Sequence, residues 1–127
     1  MAATPNSPVY VSDWLKYEAG SYYSRGTGMV ASGSGALVSG TVLARVTATG
    51  KYVPAAATGA DGSQTANAIL VTPVDATSAD APCVVVESHA LVSHVGLTWE
   101  STINDETKRA AAIGQLRTVG IKVREGA

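Results

Sequence analysis

Two histidines and one cysteine are the side chains in this chain best suited to metal binding or nucleophilic chemistry. His89 and His94 stand five residues apart in a predicted strand region, so they fall on opposite faces and cannot easily share a metal. Cys83 lies in the apolar run Cys83–Val86 and has no positive neighbour that would lower its pKa. We therefore expect no zinc site and no cysteine nucleophile, and Cys83 is predicted to be a buried small apolar residue.

Other patterns that could support chemistry lack the surroundings that such chemistry needs. The chain has no Gly-x-Ser-x-Gly nucleophile motif. Gly26–Ala31 matches the loose form of a dinucleotide-binding loop, but Ser/Gly-rich sequence follows where a helix should begin. Asp75 and Asp80 lack the further oxygen ligands and the turn glycine of a calcium loop, so they are predicted to be turn residues. The sequence thus indicates a protein that is not an enzyme, with no cofactor and no bound metal.

The charges of the chain are balanced and dispersed. Nine Lys and Arg stand against ten Asp and Glu, and the longest run of basic residues is the pair Lys108–Arg109. Nucleic acid and anionic membranes both need a concentrated basic surface, so neither is expected as a partner. Residues 1–8 lack the basic start and apolar run of a secretion signal, and no apolar window approaches the length of about 18 residues that spans a bilayer. A soluble protein made in the cytoplasm is expected.

Composition favours short strands joined by turns over a bundle of helices. Of the 127 residues 46% are hydrophobic, yet there is no Phe, and 13 residues are Gly. Thr41–Pro54 has the form of a hairpin with its turn at Thr49–Gly50. Further strands are predicted at Ala68–Thr72, Cys83–Glu87, Ala90–Val95, Gly96–Trp99 and Ile121–Arg124.

One helix is predicted near the C-terminus, which makes the fold class α+β. Asn104 is the expected N-cap, Asp105 lies in the positive first turn and can pair with Arg109, and Gly120 can end the helix. The narrow apolar face of the helix consists of Ala112, Ile113 and Leu116. The whole domain is therefore expected to be compact and β-rich, with one main helix.

The first part of the chain has the composition of an extended arm. Residues 1–36 are predicted to form a flexible arm with a joint at Ser32–Gly35, and residues 37–127 to form the domain. Trp14 and four of the five Tyr residues fall in this arm, and exposed aromatic clusters usually mark a surface that meets a partner. The candidate contact residues are Val9, Tyr10, Val11, Trp14, Leu15, Tyr17, Tyr22 and Tyr23. Alternatively, these rings fold back onto their own domain.

An ordered series of segments resembles the lambda-type head decoration proteins of tailed phages. The segments are Gly40–Pro54, Asp61–Thr65 with Ala68–Leu70, Val74–Thr77, Leu97–Trp99, Asn104–Arg109 and Ala110–Val123. The resemblance covers roughly residues 17 to 124. Glu18–Ser21 and Ser24–Arg25 are similar to the arm pattern of that family, whereas Ser7–Lys16 is an extension relative to its shorter members.

This resemblance implies a homotrimer in the virion, on the outer surface of the phage head. Such trimers occupy three-fold and quasi-three-fold sites of an expanded capsid and stabilise it against internal DNA pressure. The implied partners are the major capsid protein and further copies of this chain, and the arm is expected to become ordered on the capsid protein. An alternative from another class is a virion-surface adhesion or display module that binds host glycans through Trp14 and the tyrosines.

Overall fold

The computed structural model describes residues 13–18 and 24–124, and this part of the chain folds into ten strands and one α-helix. The elements are β1 (Leu15–Glu18), β2 (Arg25–Val30), β3 (Gly35–Leu37), β4 (Val42–Arg45), β5 (Tyr52–Pro54), β6 (Ala66–Leu70), β7 (Val74–Ala76), β8 (Ala81–Val86), β9 (Ala90–Ser93), α1 (Glu106–Thr118) and β10 (Ile121–Arg124). The prediction of a small β-rich α+β domain with one helix near the C-terminus is confirmed.

Five strands close into a small barrel in the order β2-β5-β4-β6-β8. The predicted hairpin supplies two of them: β4 and β5 pair antiparallel, with Ala44 opposite Val53. Gly50 adopts a φ of 72° in the connecting turn, a conformation that favours glycine. The hairpin and the position of its turn are therefore confirmed.

Small apolar side chains fill the barrel. Cys83, Val85, Leu43 and Leu70 are buried there together with Tyr52. Because successive side chains of a strand point to opposite faces, Cys83 and Val85 on β8 both face this interior. Cys83 is a buried free thiol, as the sequence predicts.

A second sheet and the helix cover one side of the barrel. In this three-stranded sheet β9 lies in the middle, antiparallel to β1 and parallel to β10. Ile121 of β10 and Val92 of β9 are buried against Ala112 and Leu116 of α1, in one apolar cluster with Trp14. The start of the described chain is thus packed into the same core as its end.

The helix begins one residue later than the sequence indicates. Asp105, not Asn104, is the N-cap: its backbone is extended and its carboxylate accepts a hydrogen bond from the Lys108 N–H at 2.8 Å. The Lys108 ammonium group also lies 3.8 Å from the Asp105 carboxylate, in place of the predicted pair with Arg109. Gly120 follows the helix with a φ of 89°, so the predicted end of the helix is confirmed.

The predicted strand Gly96–Trp99 is not a strand. A short 3₁₀ turn spans His94–Gly96, and beyond it only Thr98 forms an isolated bridge, with Thr41. Gly96 packs so closely on the backbone of residue 13 that a Cβ at this position would collide with the carbonyl oxygen of Asp13. The backbone is therefore shaped by a distant segment at this point, which no local pattern indicates.

A boundary between arm and domain at residue 36 does not fit the packing of the described residues. Strand β2 pairs with β8 over its full length and is part of the barrel. The predicted joint Ser32–Gly35 is hydrogen-bonded to the domain, with Ser32 N–H donating to Asp80 at 2.8 Å and Gly33 N–H donating to the Ala76 carbonyl at 2.7 Å. Residues 13–18 and 24–36 therefore belong to the folded domain. Residues 1–12, including the predicted strand Val9–Val11, lie outside the described residues.

Candidate functional site

The cysteine and the histidines are placed where they cannot support catalysis together. Burial raises the pKa of the Cys83 thiol above its ordinary value, so the thiol stays protonated and is a poor nucleophile. His89 precedes β9, whereas His94 lies in the 3₁₀ turn with its ring centroid 6.0 Å from that of Trp99. Within residues 13–18 and 24–124, no group of three or more His, Cys, Asp or Glu side chains could hold a metal ion.

The two glycines of the apparent dinucleotide motif lie in a barrel strand, and Gly28 is required there by packing against the buried Tyr52. A Cβ at Gly28 would lie 2.7 Å from the Tyr52 ring, and a Cβ at Gly26 would lie 2.7 Å from the Glu87 carboxylate. Both glycines are in β2, with no helix after them. Their lack of a side chain lets Tyr52 and Glu87 pack against the strand, so the motif indicates no nucleotide site.

The acidic residues Asp75 and Asp80 both make hydrogen bonds that stabilise the fold, although Asp75 lies in strand β7 and not in the predicted turn. Asp75 accepts hydrogen bonds from the backbone N–H and the hydroxyl of Thr77, which lower the pKa of the Asp75 carboxyl. Asp80 accepts from the Ser32 N–H and lies 2.6 Å from the Lys51 ammonium group.

No helix in the described part of the chain is long and apolar enough to cross a membrane.

Trp14 fixes the start of the described chain to the domain. Its side chain is fully buried, and its Nε1–H donates to Ser39 Oγ at 2.9 Å. The Ser39 hydroxyl in turn donates to the Val71 carbonyl at 2.7 Å. Two consecutive hydrogen bonds therefore link the indole to Val71, the residue that follows β6. The Trp14 carbonyl accepts from the Ser93 N–H at 2.7 Å. Side chain and backbone of Trp14 are thus both held by the domain.

Two glycines make room for Trp14. A Cβ at Gly40 would lie 2.9 Å from Cδ1 of the indole, and a Cβ at Gly96 would lie 2.7 Å from Cβ of Trp14. Gly40 also has a φ of 92°. Because any larger residue at either position would displace the indole, the chain is built to receive Trp14 there.

The segment after Trp14 presents one aromatic ring to solvent. Tyr17 in β1 is 65% exposed, whereas Leu15 is half-buried against the core. At the end of β1, Glu18 accepts hydrogen bonds from Ser24 Oγ at 2.6 Å and from Arg25 Nη2 at 2.8 Å. These bonds join the two ends of the segment 19–23, which lies outside the described residues.

The structure separates the candidate contact residues into three groups. Tyr17 is exposed and available to a partner. Trp14 and Leu15 pack into the domain, so a partner could reach the Trp14 ring only if β1 left its sheet. For Trp14 the alternative from the sequence holds: its ring folds back onto its own domain. The others lie outside the described residues, namely Val9, Tyr10, Val11, Tyr22 and Tyr23.

An apolar groove lies beside Trp14, and sequence reasoning missed it. We call it the Trp99 groove; it has a volume of about 350 Å³ and is lined by Leu37, Val38, Pro54, Thr98, Trp99 and Glu100 among others. Val38 is 42% exposed, and Trp99 is half-buried, with part of its ring packed against the core. The groove brings together residues from three distant parts of the chain, so no local signal could have found it.

Comparison with known proteins yields one family. The family model described as bacteriophage lambda head decoration protein D matches residues 4–121 of the chain. No curated protein matches the chain. The matched region extends from the residues before Trp14 to the beginning of β10 and so includes the Trp99 groove.

Proposed function

Because this chain belongs to the bacteriophage lambda head decoration protein D family, we propose that it binds as a homotrimer to three-fold and quasi-three-fold sites on the outside of an expanded phage head. Proteins of this family are structural proteins of the phage capsid and are not known as enzymes. The chain accordingly has a capsid decoration role. Its partners are the major capsid protein and two further copies of itself, and its task is to stabilise the shell against the pressure of packaged DNA.

The proposed mechanism is strand addition by the arm, which we now limit to residues 1–12. Val9–Val11 has strand-forming side chains, and its backbone N–H and C=O groups can pair with the edge of a sheet in the major capsid protein. Each such hydrogen bond contributes about 1 kcal/mol net. Ordering the arm costs about 1–2 kcal/mol per residue, so one arm alone would bind weakly.

A trimer offsets this weakness because its three arms are linked. Once one arm has bound, the other two bind as intramolecular events, which can raise the overall affinity about 10²–10⁴-fold. The arm residues Tyr10, Val9 and Val11 would contact the shell directly, with Tyr17, Tyr22 and Tyr23 beside them. Trp14 and Leu15 would fix the base of the arm.

The burial of Trp14 supports a mechanism in which residues 1–12 bind the shell and Trp14 holds the base of the arm on the domain. An arm that transmits force to the domain must be attached firmly at one end. The Trp14 side chain is buried in the core and donates a hydrogen bond to Ser39, and its carbonyl accepts one from Ser93 of β9. The alternative function as a glycan-binding module relied on an exposed Trp14. Its buried indole leaves that alternative without its main aromatic platform, and a glycan-binding screen on the intact protein remains the direct test.

The experiment is removal of residues 1–12 with Trp14 left in place. The shortened chain should fold and assemble normally but no longer sediment with expanded shells. A matched control lacks only residues 1–6 and keeps Val9–Val11; it should retain most of its binding. A deletion through Tyr23 would also remove Trp14 and β1 from the core, so its loss of binding could not be assigned to the arm. Undiminished binding of the chain without residues 1–12 would refute the role of the arm.

A further inference from the structure

The Trp99 groove has the surface chemistry of a contact site for an apolar side chain. Val38 and Trp99 contribute exposed apolar surface to it, beside Leu37 and Pro54. Its one charged lining residue, Glu100, accepts hydrogen bonds from Ser101 and Thr102 in its own turn. A single exposed valine is ordinary on a protein surface, but a concave apolar surface of about 350 Å³ is large enough to receive an apolar side chain of a partner.

Two residues that line the groove, Thr41 and Thr98, lie close in sequence to the two glycines that pack on Trp14 near the start of the described chain. The Trp14 indole packs on Gly40, and the Gly40 carbonyl accepts a hydrogen bond from the Thr98 N–H at 2.9 Å. Thr98 lines the groove directly before Trp99. Gly40 therefore packs on Trp14 and is hydrogen-bonded to a residue that lines the groove.

The length of the arm limits how far from the groove its partner can lie. Val9–Val11 precedes Trp14 by three to five residues, so an extended chain places it within about 10–18 Å of the Trp14 backbone. Any surface of the capsid protein that pairs with Val9–Val11 must therefore lie within about the same distance of Trp14. Residues 1–12 contain no Asp, Glu, Lys or Arg, and Glu100 is the one charged residue that lines the groove.

From these observations we infer that the Trp99 groove is a second contact surface for the major capsid protein and takes an apolar side chain from it. The inference rests on the proposed function, because it requires the arm to be bound to the shell. The arm supplies backbone pairing, and the groove supplies a fixed apolar pocket at the base of the arm. A second contact made by the folded domain itself would also set the orientation of the domain on the shell.

A charge in the groove should weaken binding without affecting the arm. In the full-length chain, Val38→Glu should reduce the affinity for expanded empty shells about ten- to one-hundred-fold, the loss expected from one apolar side chain that is no longer buried. Val38→Thr keeps the shape of the side chain without a charge and should stay within a few-fold of wild type. The matched control is Met29→Glu, because Met29 is exposed to a similar degree, 38% against 42% for Val38, and lines a different apolar groove beside Gly28 and Pro82. It places the same charge in an apolar groove that is not the proposed contact, so it should bind shells like wild type.

Each outcome of the binding experiment decides between the proposals. If wild type binds shells and Val38→Glu binds equally well, the groove is not a contact and the inference fails while the proposed function stands. If wild type itself does not bind, the proposed function fails and the inference fails with it. Light scattering on the free variants identifies a third result: if Val38→Glu alone loses self-association, the groove lies between copies of this chain and the inference is overturned.

Hydroxyl-radical footprinting tests the same surface without substitutions. Trp99 is half-exposed in the described domain, and Met29 is an exposed and readily oxidised side chain elsewhere on the barrel. Shell binding should protect Trp99 from oxidation and leave the oxidation of Met29 unchanged. Equal oxidation of Trp99 in free and shell-bound protein would contradict the inference whatever the Val38 variants do.

Discussion

At the scale of single residues, Trp14 combines the largest buried side chain of the domain with a hydrogen bond that its indole alone can make. It is fully buried and donates to Ser39, which itself donates to Val71. A Phe at this position would fill most of the space but leave the Ser39 hydroxyl without its donor. The domain thus uses a tryptophan where a purely apolar ring would not satisfy its polar neighbour.

We predict that Trp14→Ala lowers the free energy of unfolding by about 3–5 kcal/mol, the usual loss for a buried tryptophan. Trp14→Phe should cost less, about 1 kcal/mol for the missing hydrogen bond together with some loss of packing. Urea denaturation measures both, with Tyr17→Ala as the control, because Tyr17 is exposed and should stay within about 0.5 kcal/mol of wild type. Trp99→Ala should cost less than Trp14→Ala, since Trp99 is only half-buried. Equal losses for the two tryptophans would contradict the difference in burial.

Glu18 gives stability a pH dependence that one substitution can isolate. Hydrogen bonds from Arg25 hold the pKa of the Glu18 carboxyl below its ordinary value of 4.5, against the opposing effect of burial. In the unfolded chain this carboxyl therefore takes up its proton first as the pH falls. The contribution of the ion pair is complete above about pH 4.5 and declines below it.

We predict that Glu18→Gln is less stable than wild type by about 1 kcal/mol near neutral pH, a value reduced for the partial solvent exposure of the pair. The difference should shrink as the pH falls below about 4.5, because wild type then loses the same interaction. Denaturation curves of both proteins from acidic to neutral pH measure this. A difference that does not change with pH would mean that the ion pair does not stabilise the fold.

At the scale of elements, the start of α1 depends on which of two adjacent polar residues adopts the cap geometry. Asn104 and Asp105 can both accept from the helix N-terminus, and sequence favours neither strongly. In the structure Ile103 is buried, its backbone N–H bonded to the Glu100 carbonyl, and Asp105 accepts from Lys108. The helix therefore begins one residue after the expected position because the preceding turn places Asp105 there.

Alanine substitutions at the two positions should differ accordingly. Asp105→Ala is expected to lower stability by about 1 kcal/mol, because it leaves a helix N–H group without its acceptor. Asn104→Ala should change stability by less than about 0.5 kcal/mol, since Asn104 is exposed and only its contact with the Lys108 side chain is lost. Thermal denaturation of both variants is sufficient, and a larger loss at Asn104 would contradict the cap assignment.

At the scale of the whole molecule, the proposed function requires association of copies as well as a folded domain. A single arm has too little binding energy to offset the ordering of its backbone, so the avidity of three arms is part of the mechanism. We predict that the purified protein has three times the mass of one chain in multi-angle light scattering. The mass should stay constant on dilution through the range used for shell binding. If the protein is a monomer at all concentrations, its copies can associate only on the shell. The avidity of a preformed trimer would then not contribute to binding.

The sequence by itself determined those features that depend on neighbouring residues. The turn at Gly50, the end of the helix at Gly120, the alternation in β10 and the burial of Cys83 within an apolar run were all predictable, because a turn glycine or a strand period acts within a few positions. The series of segments from Gly40–Pro54 to Ala110–Val123 also indicated the family, because the order and spacing of such segments can be read from the sequence alone.

Only the tertiary structure decided where the first part of the chain belongs. Its Gly- and Tyr-rich composition indicated an arm up to residue 36, yet β2 pairs with β8 along its length and completes the barrel, where Gly28 leaves space for the buried Tyr52. Trp14 is buried because Gly40 and Gly96 leave space for it, and the Trp99 groove forms because Val38 and Trp99 meet across a large separation in sequence. Each of these depends on the fit between distant side chains, and that fit exists only after the barrel has closed.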